Sequence, residues 1–317
     1  MKEPVSRRRL YGEAKIGGMA DVPVIRITSA CNHKCVFCSA PHTPVYPRAV
    51  SRKIIDRHRD TISIEGGEPT LSKDLADWVR YAKKKNCRDI IVCTNAARMG
   101  DGAYVRELLD AGVTLFNVNF PAHTAALYDR FTGTRGQFRS RVEALRNLLR
   151  LAGPRGVRIT LVVHSGIVGQ LPAYAGFVAS TFPGLFYLEL NLAKVLGNVV
   201  DRTALVPRLG ALEPYLAGAL RVLSFAKVGF ITDGFPLCRL PGYETSSIDV
   251  YKKLNGIEEF LSEKRHSPRC ENCSLLSLCA GPRADYLELY GDSELKPSKA
   301  DPAAILATGR KAGFLRF

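Results

Sequence analysis

Seven of the nine cysteines in this 317-residue chain fall into spacings that suit metal ligation. Three lie in Cys31-Asn-His-Lys-Cys35-Val-Phe-Cys38, a CxxxCxxC loop that directly follows a largely apolar run from Val22 to Ile27. Three thiolates on so short a loop can converge on one soft metal centre, as iron–sulfur clusters require. On a cubane of four irons, three protein ligands leave one iron open to a small molecule. The competing occupant is zinc, with His33 or His42 as fourth ligand, although zinc sites more often use paired CxxC knuckles set further apart. The remaining four are Cys238 and the run Cys270-Glu-Asn-Cys273-Ser-Leu-Leu-Ser-Leu-Cys279. Four thiolates can ligate a second four-iron cluster completely, or a tetrahedral zinc ion. Glu65-Gly66-Gly67-Glu68-Pro69-Thr70 is the other cluster of chemistry-bearing residues. Glycine lets backbone approach a ligand closely, proline fixes the turn, and Glu68 adds an acceptor suited to a cationic partner.

These residues need elements that bring them to one place. Apolar β-rich runs occur at Val22–Thr28, 61–65, Asp89–Thr94, 114–120, 157–164 and 185–192. They are mostly continuous rather than alternating, as expected of parallel strands buried on both faces. Amphipathic helical patterns separate them: 72–85 with a serine cap and a lysine-rich end, 101–111 with an aspartate cap and a stop at Gly112, then 136–151, 171–181 and 209–226. Six β/α repeats in about 200 residues predict a partial (β/α)6 parallel barrel or open sheet, with its site at the carboxyl ends of the strands. Cys31 falls just past the first strand, where that site belongs.

The CxxxCxxC loop, with Phe37 before its last cysteine, and a GGEP segment one strand later resemble the radical S-adenosylmethionine (radical SAM) superfamily. The resemblance implies a [4Fe–4S] cluster on Cys31, Cys35 and Cys38, its open iron chelated by the amino and carboxylate groups of SAM. It also implies SAM binding by Gly66, Gly67, Glu68 and Pro69, whose segment in that family hydrogen-bonds the SAM amino group. Thr94-Asn95 is similar to the family's TNG segment near the SAM ribose, with Ala96 in place of its glycine. Asn119 stands where many relatives put a serine on SAM. Val195, Leu196 and Gly197 are placed to pack against adenine, while His164 reads as a core histidine. Cys238, Cys270, Cys273 and Cys279 resemble the SPASM and Twitch extensions, which hold an auxiliary [4Fe–4S] cluster. Arg283 stands where full SPASM has its next cysteine.

From 233 to 301 the chain is rich in Gly, Pro, Ser and Cys, and only 248–261 has helical periodicity, so a small metal-fixed module is expected there. The predicted division is a basic segment 1–19, a radical SAM domain 20–227, an auxiliary-cluster domain 228–300 and a tail 301–317. No apolar run approaches the ~20 residues of a membrane span, and the N-terminus lacks a secretory h-region. Cys87 and Cys93 read as core thiols, and the compartment as a reducing cytoplasm. A net charge of +15 attracts polyanions. Seven arginines between Arg135 and Arg158 face Glu143 alone, but Phe138 is the only aromatic there, which disfavours a single-strand-binding surface.

The resemblance thus implies an enzyme that cleaves SAM to a 5′-deoxyadenosyl radical, fed by an electron donor such as flavodoxin or ferredoxin. The expected substrate is a peptide or protein, because extensions of this kind often accompany peptide modification. The alternative is a nucleotide or cofactor precursor, as in the molybdopterin-precursor cyclase, whose C-terminal Gly-Gly is not matched by Phe314-Leu-Arg-Phe317. The non-enzyme alternative, a basic zinc- or cluster-bearing nucleic-acid binder, leaves the placement of GGEP unexplained.

Overall fold

The computed structural model describes residues 23–41, 44–256 and 263–311. The basic N-terminal segment 1–19, His42, the last part of the helix expected to end at Leu261 and the chain end 312–317 lie outside the described residues. Seven parallel strands form one sheet in sequence order: β1 Val24–Thr28, β2 Thr61–Gly66, β3 Asp89–Thr94, β4 Leu115–Asn119, β5 Val157–Val163, β6 Tyr187–Leu192 and β7 Gly229–Asp233. Each strand pairs with the next, and β1 is not bonded to β7, so the sheet is a curled, incomplete barrel. The expected parallel α/β barrel is present, with one strand more than the six repeats suggest. The seventh pairs Tyr187 with Gly229 through Asn191 with Asp233. The domain boundary expected at residue 228 therefore falls inside the sheet.

Ten helices accompany the strands among the described residues. The ones that matter here are α2 Leu75–Lys84, α3 Gly102–Ala111, α4 Ala125–Thr132, α5 Phe138–Ala152, α7 Leu209–Phe225, α8 Ile248–Leu254 and α9 Ala284–Tyr290. The cap expected of Asp101 is made: its carboxylate accepts from Ala103 N at 2.9 Å and Tyr104 N at 3.2 Å. Ser72 does not cap α2. Its hydroxyl accepts from Asp74 N in a turn that precedes the helix, which begins at Leu75. The helix α4 is absent from the sequence reading because its eight residues, between Thr124 and Gly133, are too few for periodicity to register. Strand residues such as Ile25, Ile62, Ile64, Val92, Phe116 and Ile159 are wholly buried between the sheet and its helices.

The segment after β7 is fixed to the sheet by buried charge. Lys264, 1% exposed, donates to Asp233 at the end of β7 and to Asp249 of α8, both at 2.8 Å. The second Asp249 oxygen accepts from Ala280 N at 2.9 Å. Arg283, the residue standing where a further cysteine would fall in full SPASM, is the largest fully buried side chain. Its guanidinium donates to the Leu192 and Ala193 carbonyls at the end of β6 and to Asp285, which in turn accepts from Val195 N at 2.8 Å. An arginine here holds the module to the rim of the sheet through donors that a cysteine lacks.

Burial pushes the Asp233 carboxyl up, but the Lys264 charge outweighs it and holds the group below its usual range. A depressed folded value contributes stability that is complete above about pH 4 and fades as the pH falls through the lowered value. Lys264→Met should remove that contribution and leave two buried carboxylates unpaired, costing about 3–5 kcal/mol. Chemical unfolding of the two proteins at neutral and at acidic pH measures the loss, and the gap between them should narrow on acidification. An unchanged midpoint at neutral pH contradicts the assignment.

Candidate functional site

Because all seven strands run the same way, the segments that follow them meet on one rim. The CxxxCxxC loop follows β1, GGEP follows β2, Thr94-Asn95 ends β3, Asn119 ends β4, His164 follows β5 and Val195–Gly197 follows β6. The two glycines of GGEP are required by backbone packing against the cysteine loop. A Cβ on Gly66 would lie 2.3 Å from the Thr28 carbonyl oxygen, and one on Gly67 would lie 2.3 Å from that of Ala30. At this separation Gly67 N donates to Thr28 O and Glu68 N to Ala30 O, both at 2.8 Å. The segment that leads into Cys31 is thus clamped onto the end of β2.

Two more segments hold the loop. Behind it, Lys34 N and Val36 N donate to the carbonyls of Thr132 and Phe131 at the end of α4. On its far side, Asn198 N donates to Cys38 O at 2.9 Å and Asn198 Nδ2 to Cys35 O at 2.8 Å. Gly197, at φ +55°, lies so close that a Cβ would sit 2.3 Å from Cys38 O. The stretch read as adenine packing therefore also clamps the cysteine loop, and Asn198 was not singled out in the sequence because a lone Asn carries no spacing signal. Phe37 is buried and stacks on His164 at 5.3 Å, and His164 meets Phe131 edge-on at 4.5 Å. Burial, then the charge of Arg130, lowers His164 to about 4, so it is a neutral packing histidine under the loop.

Glu68 does something other than what its type suggests. Its side chain is 1% exposed and turned inward. It accepts from Thr70 N at 3.1 Å, from the hydroxyls of Thr70 and Thr94 at 2.6 Å each, and from Asn95 N at 2.6 Å. Four donors occupy most of the acceptor capacity of one carboxylate. Burial pushes the Glu68 carboxyl up, against the pull of those hydrogen bonds. The residue locks the β2 turn to the end of β3. Asn95 Nδ2 then reaches Asn32 Oδ1 at 2.8 Å, beside Cys31. Ala96, in the family's glycine position, takes φ +61° and is fully buried. Pro69 opens a short 3-10 turn, and Asn119 is partly buried at the end of β4.

The thiols fit a cluster by their chemistry. Burial, then the neighbouring Cys38 and Cys31, pushes the Cys35 thiol up to about 12, and burial raises Cys31 and Cys38 as well. Three thiols packed together resist ionisation unless a cationic centre binds them, and iron supplies that. Cys31 Sγ also accepts from His33 N at 3.4 Å, as cluster-bound thiolates commonly do.

All four cysteines of the second set line one small space, along with His266, Leu275 and Leu295. Cys238, distant in sequence, is among them because β7 delivers it to the same rim. Backbone N–H groups point at the sulfurs: Leu237 and Gly281 at Cys279, at 3.5 and 3.3 Å, and Ser298 at Cys273, at 3.3 Å. Burial, then the charge of Asp249, raises the Cys279 thiol to about 12. Among the described residues no group of three or more Cys, His, Asp or Glu is gathered tightly enough for a single ion.

Inside the barrel the inward-facing side chains form a polar row. Glu65 accepts from Ser63 Oγ at 3.0 Å, Cys93 lies 3.6 Å from Glu65, and Asn117 Nδ2 lies 3.5 Å from Cys93. Thr160 donates to Asn117 at 2.5 Å, and Arg158 pairs with Glu189 at 3.1 Å. Cys93 is therefore a member of this polar row and not the core thiol expected, whereas Cys87 is buried in the core. The row was hidden in the sequence because alternate residues of five strands contribute one member or two each.

Residues 25–170 match the family model described as the Radical SAM superfamily. Among curated proteins, the chain is similar to a probable GTP 3′,8-cyclase of Thermoplasma volcanium, 30% identical over 157 residues, which is 47% of either chain. It is likewise 26% identical over 157 residues to the GTP 3′,8-cyclase of Marinobacter nauticus, 45% of either chain. The match spans about half the length of these relatives. Among solved structures, native anSMEcpe with bound AdoMet and Cp18Cys peptide aligns over 92% of this chain and 94% of that one, with a TM-score of 0.58 and 15% identity. A histidine-tagged form of the same protein with bound AdoMet gives 0.60 at 13% identity, over the same shares of the two chains. At these identities the likeness is one of fold.

Gly67→Ala drives a methyl group into the Ala30 carbonyl, so the cysteine loop must move. Overpacking of this kind costs about 1–3 kcal/mol. The variant should reconstitute with less iron than the parent, measured by metal analysis under anaerobic conditions, because the loop of Cys31, Cys35 and Cys38 loses its geometry. Full iron content would show that the close approach is dispensable.

Proposed function

We propose that this chain, a member of the radical SAM superfamily and an enzyme, cleaves S-adenosylmethionine reductively and directs the resulting radical at a nucleotide or cofactor-precursor substrate. The observation that carries the SAM reading is the clamping of GGEP and Thr94-Asn95 onto the loop of Cys31, Cys35 and Cys38, which assembles the family's two SAM segments at one rim. Bound there, a [4Fe–4S] cluster would supply the electron for reductive cleavage of SAM. The protein's part is positional. Cys31, Cys35 and Cys38 would hold the cluster, and the segments after β2, β4 and β6 fix the loop that carries them. Gly66, Gly67 and Pro69 shape the rim, and Glu68 keeps Thr94 and Asn95 in register with it. Asn119 offers an amide at the next strand end, where it can meet the SAM carboxylate. Inside the barrel, Glu65, Asn117, Thr160 and the Arg158–Glu189 pair present donors and acceptors to whatever enters from the rim.

The nucleotide class is favoured over the peptide expected from the C-terminal module. The curated relatives that match about half of the chain are named as GTP 3′,8-cyclases, whereas the solved structure that holds a peptide shares only the fold. The four-cysteine module is assigned a second [4Fe–4S] cluster, with zinc the lesser alternative. The backbone donors to the sulfurs of Cys273 and Cys279 support thiolate ligands there. A fully ligated cluster serves electron relay or the shape of the pocket. Among the described residues no helix is long and apolar enough to cross a membrane. A low-potential one-electron donor protein such as flavodoxin or ferredoxin completes the system.

Anaerobic reconstitution should give about eight irons and eight sulfides per chain, two four-iron clusters. Replacing Cys31, Cys35 and Cys38 together by Ala should remove about half and abolish 5′-deoxyadenosine formation. Full iron in that variant, or stoichiometric zinc in the parent, defeats the assignment.

The substrate class is tested with reduced, reconstituted protein, SAM and a panel of purine nucleotides deuterated on the ribose. GTP or a related nucleotide should be consumed, with deuterium recovered in 5′-deoxyadenosine. If SAM is cleaved but no nucleotide is consumed or transfers label, the radical reading stands and the nucleotide reading fails.

A further inference from the structure

Among the described residues, Arg141 is a buried charge with no counter-ion. Arg141 is 5% exposed and lies on α5, four and seven residues before the buried Leu145 and Leu148. That register belongs to the apolar face of the helix, where leucine or valine would pack without cost. Among the described residues no carboxylate pairs with its guanidinium. The groups it meets are neutral: Nη1 donates to the Ser140 hydroxyl at 3.4 Å, the Tyr128 phenol lies close by, and Nε has no hydrogen-bond partner. The other arginines of this helix differ, since Arg146 is exposed and pairs with Glu143. An unpaired charge taken out of water costs several kcal/mol unless something compensates it.

The groups around Arg141 lead to the cysteine loop. Tyr128, fully buried, and His33, 8% exposed, meet edge-on at 5.9 Å. His33 Nδ1 is 4.0 Å from Cys35 Sγ, and His33 N donates to Cys31 Sγ. Neither ring supplies negative charge. Burial, then the Arg141 charge, lowers His33 to about 4, and burial pushes the Tyr128 phenol above its ordinary value. Beyond these two neutral rings lie the thiols of Cys31, Cys35 and Cys38, which carry net negative charge once they hold a [4Fe–4S] cluster.

We propose that Arg141 is a positioning residue whose buried guanidinium is the counter-charge of that anionic cluster and raises its reduction potential. The inference rests on the assignment of the three cysteines given above. The sign is fixed by electrostatics. Reduction adds one electron, from a low-potential donor, to a site already negative, and a fixed cation in a low-dielectric surround stabilises the reduced form more than the oxidised one. The charge acts through Tyr128 and His33 without touching iron or SAM, and its burial protects it from screening by salt.

The test is a redox titration of the reconstituted parent and of Arg141→Met, Arg141→Gln and Arg141→Lys, each followed by the spin signal of the reduced clusters. Met and Gln fill much of the same space without charge, so one can stand in if the other fails to fold. At a fixed solution potential the ratio of reduced to oxidised first cluster should fall about tenfold in both neutral variants, equivalent to about 59 mV for a one-electron couple. Arg141→Lys should retain most of the parent value, and the second cluster should not move. A fall of less than threefold in the folded neutral variants overturns the proposal, as does an equal fall in both clusters. If the parent itself holds no first cluster, the site assignment fails and this inference with it. Iron content, measured on every sample, separates that outcome from a missing role for Arg141.

Discussion

The geometry of the rim depends on how closely the backbone after β2 can approach the backbone after β1. Gly66 and Gly67 allow a separation at which the amides of Gly67 and Glu68 bond the carbonyls of Thr28 and Ala30. A Cβ at either place would force the two segments apart, and the cysteine loop begins immediately beyond them. From that contact outward the site is a set of mutual constraints. Glu68 secures Thr94 and Asn95, Asn95 reaches Asn32, and Asn198 secures Cys35 and Cys38 from the opposite side. Each is a hydrogen bond across strands distant in sequence, so the loop is held by the whole sheet rather than by its own turn.

Polar groups within this fold serve two distinct purposes. Those with saturated partners, such as Glu68 with four donors and Lys264 with two carboxylates, fix geometry, since a buried group that loses a partner costs more than the bond contributes. Others, such as the barrel row from Glu65 to Glu189, bond one another across neighbouring strands inside the barrel. Arg141 belongs to neither group. Among the described residues it meets no carboxylate, and the counter-charge proposed for it, that of a cluster on the rim, would join a side chain on the outer helix layer to the site.

The auxiliary module shows how a region poor in secondary structure becomes part of a fold. Its helices are short and its cysteines scattered, yet Arg283 and Lys264 pin it to the ends of β6 and β7 through buried ionic and carbonyl contacts. The same strand ends deliver Cys238 to the other three thiols. The module and the barrel therefore share a boundary that does not follow the chain, with β7 in the sheet and the residues directly after it among the second set of cysteines.

Much of this was legible in the residues alone. Spacing singles out a cysteine loop, since thiols on one short segment can converge on a single metal centre. Continuous apolar runs between amphipathic stretches identify parallel strands, because burial on both faces demands them. Strand positions for β2, β3, β4 and β5 agree with the sequence reading to within one residue at either end. What sequence could not decide was anything made between strands. The inward carboxylate of Glu68, the place of Cys93 in a polar row, the use of Asn198 as a clamp and the docking role of Arg283 all depend on partners 26 to 163 residues away. Residue type and local spacing state what a side chain is able to do. Which of those capacities is used depends on the neighbours that the parallel sheet brings to it, and only the tertiary structure supplies them.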